Sequence, residues 1–162
     1  MMLIRDARED DLAGILAIYN HVIAHTTAVY TETAAPLADR EAWLAARRAG
    51  GFPVLVADDG GVVGFASFGD FRPWPGYART VEHSVHVAPA ARGRGIGSAL
   101  VRRLIEEARA RDKHVMIGGI DAGNAASIAL HRRLGFVEAG TLREVAQKFG
   151  RWLDLLFMQR ML

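Results

Sequence analysis

The chain has 162 residues, of which 51% are hydrophobic and 23% charged, enough for one domain with a real core and too few for two comfortable ones. Its net charge is only +2, and the arginines are interleaved with Asp and Glu, so the concentrated basic stripe that nucleic acid requires is missing. There is no cysteine, which excludes disulfides, cysteine-ligated zinc and a cysteine nucleophile.

"MMLIRDARED" turns acidic at once and has no apolar signal core, and no apolar run reaches the roughly 20 residues of a membrane span. We therefore expect a cytoplasmic protein with neither a membrane nor a nucleic-acid partner. "MLIRDA" predicts a short first strand. Asp10 and Asp11 then open an amphipathic helix with Leu12, Ile15, Leu16, Tyr19 and Val22-Ile23 at helical spacing. The polar stretch "HTTAVYTETAAP" is expected to form a lid or pocket wall through Tyr30, Thr31, Glu32 and Thr33, and Pro36 to Ala49 reads as a second helix ended by Gly50-Gly51. "FPVLVAD" and "GVVGFASFGD" are strands joined by Asp59-Gly60, a strong hairpin signal.

The Pro-rich, aromatic loop "FRPWPGY" leads into a longer strand, "ARTVEHSVHVAP", stopped by Pro89. Gly95 to Arg111 predicts a helix with Ile96, Leu100, Leu104, Ile105 and Ala108 on its core face. "HVMIGGI" reads as a buried strand, "NAASIALHRRL" as a helix closed by Gly135, and "FVEAGTLREVA" and "WLDLLFMQRML" as the last two strands. The order is mixed α/β without repeats or linkers, so we expect a single domain over residues 1–162.

Between the longer strand and its helix lies Arg92-Gly93-Arg94-Gly95-Ile96-Gly97. Consecutive backbone N–H groups and the positive end of the helix converge there, which suits phosphate. Glycine allows close approach of a pyrophosphate or the φ > 0 angles of such a turn. No Gly-Lys-Ser/Thr closes the loop, so it is not a P-loop. A dinucleotide fingerprint fits better, with Asp121 about 20 residues on where a ribose-binding acid stands. It fails because Pro89-Ala90-Ala91 separates the glycines from their strand, Leu100 occupies the third small position, and too little chain follows for a doubly wound sheet.

The pattern Arg-x-x-Gly-x-Gly formed by Arg92, Gly95 and Gly97 resembles the coenzyme A pyrophosphate loop of the GNAT N-acetyltransferase superfamily. "NAASIALHRRLGF" resembles that superfamily's next conserved segment. "ILAIYN", "FRPWPGY", "TVEHSVHV", "GNAASIALHRRLGF" and "QKFGRWLDLLFMQ" together are similar to the phosphinothricin and methionine sulfoximine N-acetyltransferase subfamily, over essentially the whole chain. The resemblance implies a mixed α/β (α+β) fold with a mostly antiparallel central sheet of about seven strands flanked by about four helices. It further implies acetyl-CoA as acetyl donor and a homodimer.

On that resemblance, Val85, His86 and Val87 pair with the pantetheine arm as an added strand would, and Gly93, Arg94, Gly95, Ile96, Gly97 and Ser98 hold the pyrophosphate. Arg92 and Arg94 either reach phosphate or stand as solvated surface charges. Asn124, Ser127 and His131 are three and four residues apart, hence on one helix face, with Leu130 and Leu134 toward another. The resemblance gives Asn124 a pantetheine contact and puts His131 where many members carry a Tyr that protonates the leaving thiolate. Thiols have a pKa of about 8.5, so that thiolate barely needs a proton near neutrality.

Glu82, Ser84 and His86 alternate on one face of their strand, with His83, Val85 and Val87 on the other. Amide formation needs a neutral amine, and Glu82 beside the coenzyme loop is the candidate base. His86 replaces the subfamily's usual Tyr. Without cysteine no acetyl-enzyme forms on sulfur, so transfer is direct, and a free N–H near Val85 could hold the oxyanion. Arg72 can clamp a carboxylate bidentately, and Phe71 and Trp74 can wall an apolar side chain. The resemblance implies that Arg72, Pro73, Trp74, Glu82, His83 and Ser84 line the acceptor site, with methionine sulfoximine, methionine sulfone or phosphinothricin as the amine. No metal is expected, because neither Glu82 with His86 nor His21 with His25 brings a third ligand. Two competing readings are a peptide or protein N-terminus as acceptor, and a non-catalytic acyl-CoA-binding module.

Overall fold

The computed structural model describes residues 1–162. In chain order it contains β1 (Leu3–Asp6), α1 (Leu12–His25), α2 (Leu37–Ala49), β2 (Val54–Asp58), β3 (Val62–Asp70), β4 (Thr80–Val87), α3 (Ile96–Ala110), β5 (Val115–Asp121), α4 (Ala125–Arg133), β6 (Val137–Lys148) and β7 (Arg151–Met161). The seven strands form one sheet in the order β1-β2-β3-β4-β5-β7-β6. Every neighbouring pair is antiparallel except β4 with β5. This is the mixed, mostly antiparallel architecture with four helices that the sequence led us to expect.

All four helices begin one residue past the residue expected to open them, Asn124 capping α4 in this way. Asp11 stands at the N-cap of α1. It sits in the short 3-10 turn Glu9–Asp11, where its carboxylate accepts from the Arg8 N–H (2.7 Å) and from two nitrogens of Arg5 (2.8 and 2.9 Å). Pro36 is extended (φ −77°, ψ 163°) and stands at the N-cap of α2, where its carbonyl accepts from the Asp39 N–H at 3.0 Å. Gly95 is left-handed (φ 77°) and precedes α3 in the same way.

The two sheet faces carry separate apolar clusters. One packs α3 against Phe68, Val81, Met116 and Met158 through Leu100 and Leu104, the other packs α1 and α2 against Val56 and Phe65 through Ile15 and Leu44. Each such fully buried side chain contributes about 1.5–3 kcal/mol. The site arises where the sheet splits. β4 and β5 pair in parallel from Thr80↔Val115 only to His83↔Gly118, while β4 stays paired with β3 as far as Val87↔Gly64. Beyond His83 the backbone edge of β4 that faces β5 is therefore unpaired.

Candidate active site

The split between β4 and β5 opens a cleft of about 870 Å³. Val85, His86 and Val87 line one wall, Arg92, Gly93, Gly95, Ile96, Gly97 and Ser98 the phosphate end, and Asn124, Ser127, Leu130 and His131 the other wall. An unpaired strand edge leads straight to the N-terminus of α3. That combination offers main-chain pairing for an extended amide-bearing arm and N–H donors for a diphosphate, which is the chemistry of a coenzyme A arm.

The glycines serve two different needs. Gly93 and Gly95 have φ of 78° and 77°, and a Cβ on either would meet nothing, so they are required for backbone conformation and not for space. Gly97 has ordinary helical geometry, but its Cβ would lie 3.1 Å from Leu130, so it lets α3 and α4 approach closely. The two loop arginines part company. Arg92 lines the cleft, whereas Arg94 donates to Asp59 on the β2–β3 turn at 2.7 Å and lies outside its lining.

On α4 Asn124, Ser127 and His131 line the cleft together, as expected of one face. Asn124 turns its Oδ1 to the Ser127 N–H (3.1 Å) and caps the helix, while Leu130, expected on another face, lines the cleft beside Ser127. His131 is buried with Leu134 and packs edge-on to Phe136. Its Nδ1 donates to the Ser127 carbonyl at 2.7 Å, and its Nε2 lies 2.9 Å from Nε2 of His83. His83 in turn donates from Nδ1 to the Ile117 carbonyl at 3.1 Å. Burial pushes the His83 imidazole well below the usual histidine range, with the neighbouring His131 adding to the effect, and burial lowers His131 as well.

A second chamber of about 370 Å³ adjoins the cleft, lined by Tyr19, Arg40, Trp43, Phe65, Ser84 and His86 as well as His83, Ser127 and His131. The polar face of β4 forms its floor. Phe65, Ser67 and Gly69 of β3 lie opposite His86, Ser84 and Glu82, and α2 crosses above with Arg40, Trp43 and Arg47 at helical spacing. Arg40 is buried, stacked 3.9 Å from the Tyr19 ring and 4.6 Å from that of Trp43. His86 packs against Phe65 and Tyr19, and burial with Arg40 nearby pushes it down to about 4.

Glu82 is half-buried at the end of this face. Burial raises its carboxyl, while Arg72 and Arg47 pull it the other way. Gly119 leaves room for it, since a Cβ there would lie 3.2 Å from Oε2. Arg72 is exposed, stacked 4.1 Å from the Phe71 ring and donating to the Phe71 carbonyl at 2.8 Å. Glu82, Arg72 and Arg47 thus form one group. Pro73 and Trp74 stand on the exposed loop, Trp74 with 71% of its surface accessible; of the expected acceptor residues His83 and Ser84 line the second chamber, whereas Arg72, Pro73, Trp74 and Glu82 line neither.

The segment after α1 also departs from expectation. Thr26, Thr27, Ala28 and Val29 line the chambers in place of residues 30–33. Thr27 donates to Asp121 (2.8 Å) and Tyr30 to the Asp154 carbonyl (3.3 Å). The fully buried ammonium of Lys148 donates to the carbonyls of Thr26 (2.6 Å) and Val29 (2.7 Å). Lys148, Arg40 and Arg47 were not singled out from sequence. The arginines lie on an ordinary amphipathic helix, and the only hint at Lys148 is that it is one of two lysines in the chain.

No three His, Asp or Glu side chains converge so as to hold a metal ion, and no helix is long and apolar enough to cross a membrane. Residues 15–136 match the model of the acetyltransferase (GNAT) family. The chain belongs to that family. This GNAT chain is 57% identical over 158 residues, 96% of its length and 92% of the relative's, to an L-methionine sulfoximine/L-methionine sulfone acetyltransferase of Pseudomonas paraeruginosa. It is 39% identical to a GNAT superfamily phosphinothricin acetyltransferase from Sinorhizobium meliloti solved in complex with acetyl-CoA, with a TM-score of 0.96 over 99% of this chain and 88% of that one. It is also 59% identical, with a TM-score of 0.97 over 99% of both chains, to a structure from Brucella melitensis described as ribosomal-protein-alanine N-acetyltransferase.

Proposed function

We propose that this GNAT domain, spanning residues 1–162, transfers the acetyl group of acetyl-CoA directly to the α-amine of a small L-amino acid of the methionine sulfoximine, methionine sulfone or phosphinothricin type. The observation that carries the reading is the unpaired edge of β4 beyond His83, open on one side to the phosphate-binding N-terminus of α3 and flanked by the Glu82 face. The relatives' acceptors support the amino-acid class.

In this reading the edge of Ser84–Val87 orients the thioester, and an N–H near Val85 receives the oxyanion as the amine nitrogen bonds to the carbonyl carbon. Glu82 takes the proton from the attacking amine. The C–S bond then breaks and the coenzyme leaves as thiolate, a good leaving group because its pKa is only about 8.5, and takes up a proton from solvent. Arg72 holds the acceptor carboxylate, and His131 borders both chambers where donor and acceptor meet. The protein acts in the cytoplasm as a homodimer. The exposed apolar side chains of the β6–β7 hairpin, among them Leu142, Val145, Phe149 and Trp152, support the second copy.

A second reading, acetylation of a protein N-terminus, is favoured by the likeness to the Brucella structure. Thiol release from acetyl-CoA separates the two, with L-methionine sulfone, L-methionine sulfoximine, phosphinothricin and an alanine-initiated peptide as acceptors. Release with the small acids, abolished in Arg72→Ala, bears out the main reading. Release with the peptide alone overturns the acceptor and keeps the chemistry.

A further inference from the structure

Arg47, seated over the Glu82 end of the β3–β4 face, has no hydrogen-bond or ion-pair partner within the protein. It projects from the last turn of α2, half-buried, with its Nε sealed from solvent and bonded to nothing. Its guanidinium lies directly on β3: a Cβ at Gly69 would fall on Nη1. Gly69 is the cross-strand partner of Glu82, and Arg47 and Arg72 are the two positive charges that act on the Glu82 carboxyl. One carboxyl group therefore feels two guanidiniums from different elements, one half-buried over β3, the other exposed on a loop.

Resting on the function proposed above, we infer that Arg47 is the specificity-determining residue for the acceptor's side chain. It donates to the sulfonyl, sulfoximine or phosphinyl oxygens, while Arg72 takes the α-carboxylate and Glu82 the amine. The three groups match the three polar ends of such an amino acid. The division of labour follows from hydration. A carboxylate is anionic and is held well by an exposed, bidentate arginine. A sulfonyl oxygen is a weak acceptor that competes poorly with water, so it is read only by a donor already stripped of solvent. A site built around such a donor rejects the analogue that lacks the oxygen, because the donor is then left unpaired. Gly69 belongs to the same device, since a side chain there would expel the guanidinium.

The experiment compares kcat/KM for L-methionine sulfone with that for L-methionine, used as substrate or as competitive inhibitor, in wild type, Arg47→Met and Gly69→Ala. Arg47→Met removes the charge; Gly69→Ala keeps it and displaces it, at a strand position whose φ any residue can adopt. We expect the sulfone to lose about tenfold to a hundredfold in both variants. L-methionine is expected to change less than about threefold, with acetyl-CoA affinity intact. Equal losses for both amino acids, or none for either, overturn the assignment of Arg47. A wild type that turns over no small amino acid overturns the proposed function, and the assignment of Arg47 with it.

Discussion

His83 and His131 meet Nε2 to Nε2 at 2.9 Å, with each Nδ1 turned onto a backbone carbonyl. Carbonyls only accept, so both Nδ1 atoms carry hydrogen, and a bond between the Nε2 atoms requires a third proton. Burial at 7% and 3% exposure opposes that proton. A neutral pair is possible when His131 gives up its carbonyl bond, because Ser127 Oγ lies 3.4 Å from the same Nδ1 and can donate to it. The pair therefore lies buried beside the acceptor chamber, with His131 also bordering the coenzyme cleft.

The pair predicts acid sensitivity. Both rings have folded pKa values below their unfolded value of about 6.5, so below that pH the unfolded chain binds protons that the native state refuses. Stability is complete above about pH 6.5 and falls as the pH drops toward the depressed folded values, by about 2 kcal/mol at pH 5 for His83, whose folded value is about 3, with His131 adding in the same direction. Thermal melts at pH 7, 6 and 5 should show this decline. His83→Asn, which cannot titrate, should flatten it; an equally steep decline in that variant would discard the pair as the cause.

Glu82→Gln is expected to lower kcat/KM by about 10²- to 10³-fold, the range of a positioned base. Acetyl-CoA affinity should not change, because Glu82 is not among the residues lining the coenzyme cleft. The acid limb of the wild-type pH–rate profile should lie above the ordinary carboxylate range, in the direction burial moves this group. A limb at the ordinary value would assign the base elsewhere.

Gly95→Ala tests the phosphate loop. At φ 77° an added Cβ costs about 1–2 kcal/mol whatever the space around it. Relaxation of the loop would swing its N–H groups off the phosphates, so calorimetric titration should show acetyl-CoA binding weakened about tenfold. Gly97→Ala should instead act on stability, by pushing Leu130 and α4 away from α3.

Lys148→Met removes the ammonium that holds residues 26–29. Two buried carbonyls lose their donor at a cost of about 1–3 kcal/mol. Hydrogen exchange should quicken across residues 26–30 while the α3 core keeps its protection, and the acceptor KM should rise. Uniform loss of protection would mean that Lys148 supports the whole fold and not this segment.

Much was legible in the sequence because it is locally encoded. Alternation in "TVEHSVHV" and helical spacing after Gly95 place β4 and α3, and the glycine loop between them marks the phosphate end, since strand, turn and helix period are read within a few residues. What the sequence by itself determined is therefore the order of elements, the loop and the polar face carrying Glu82. Only the tertiary structure decided the rest. The point where β4 leaves β5, the His83–His131 contact across 48 residues, the seat of Arg47 on Gly69 and the reach of Lys148 to Thr26 across 122 residues all join distant segments. No local period encodes such meetings. They depend on how two apolar clusters settle on opposite faces of one sheet, and the polar groups brought together there take their protonation and their partners from that packing.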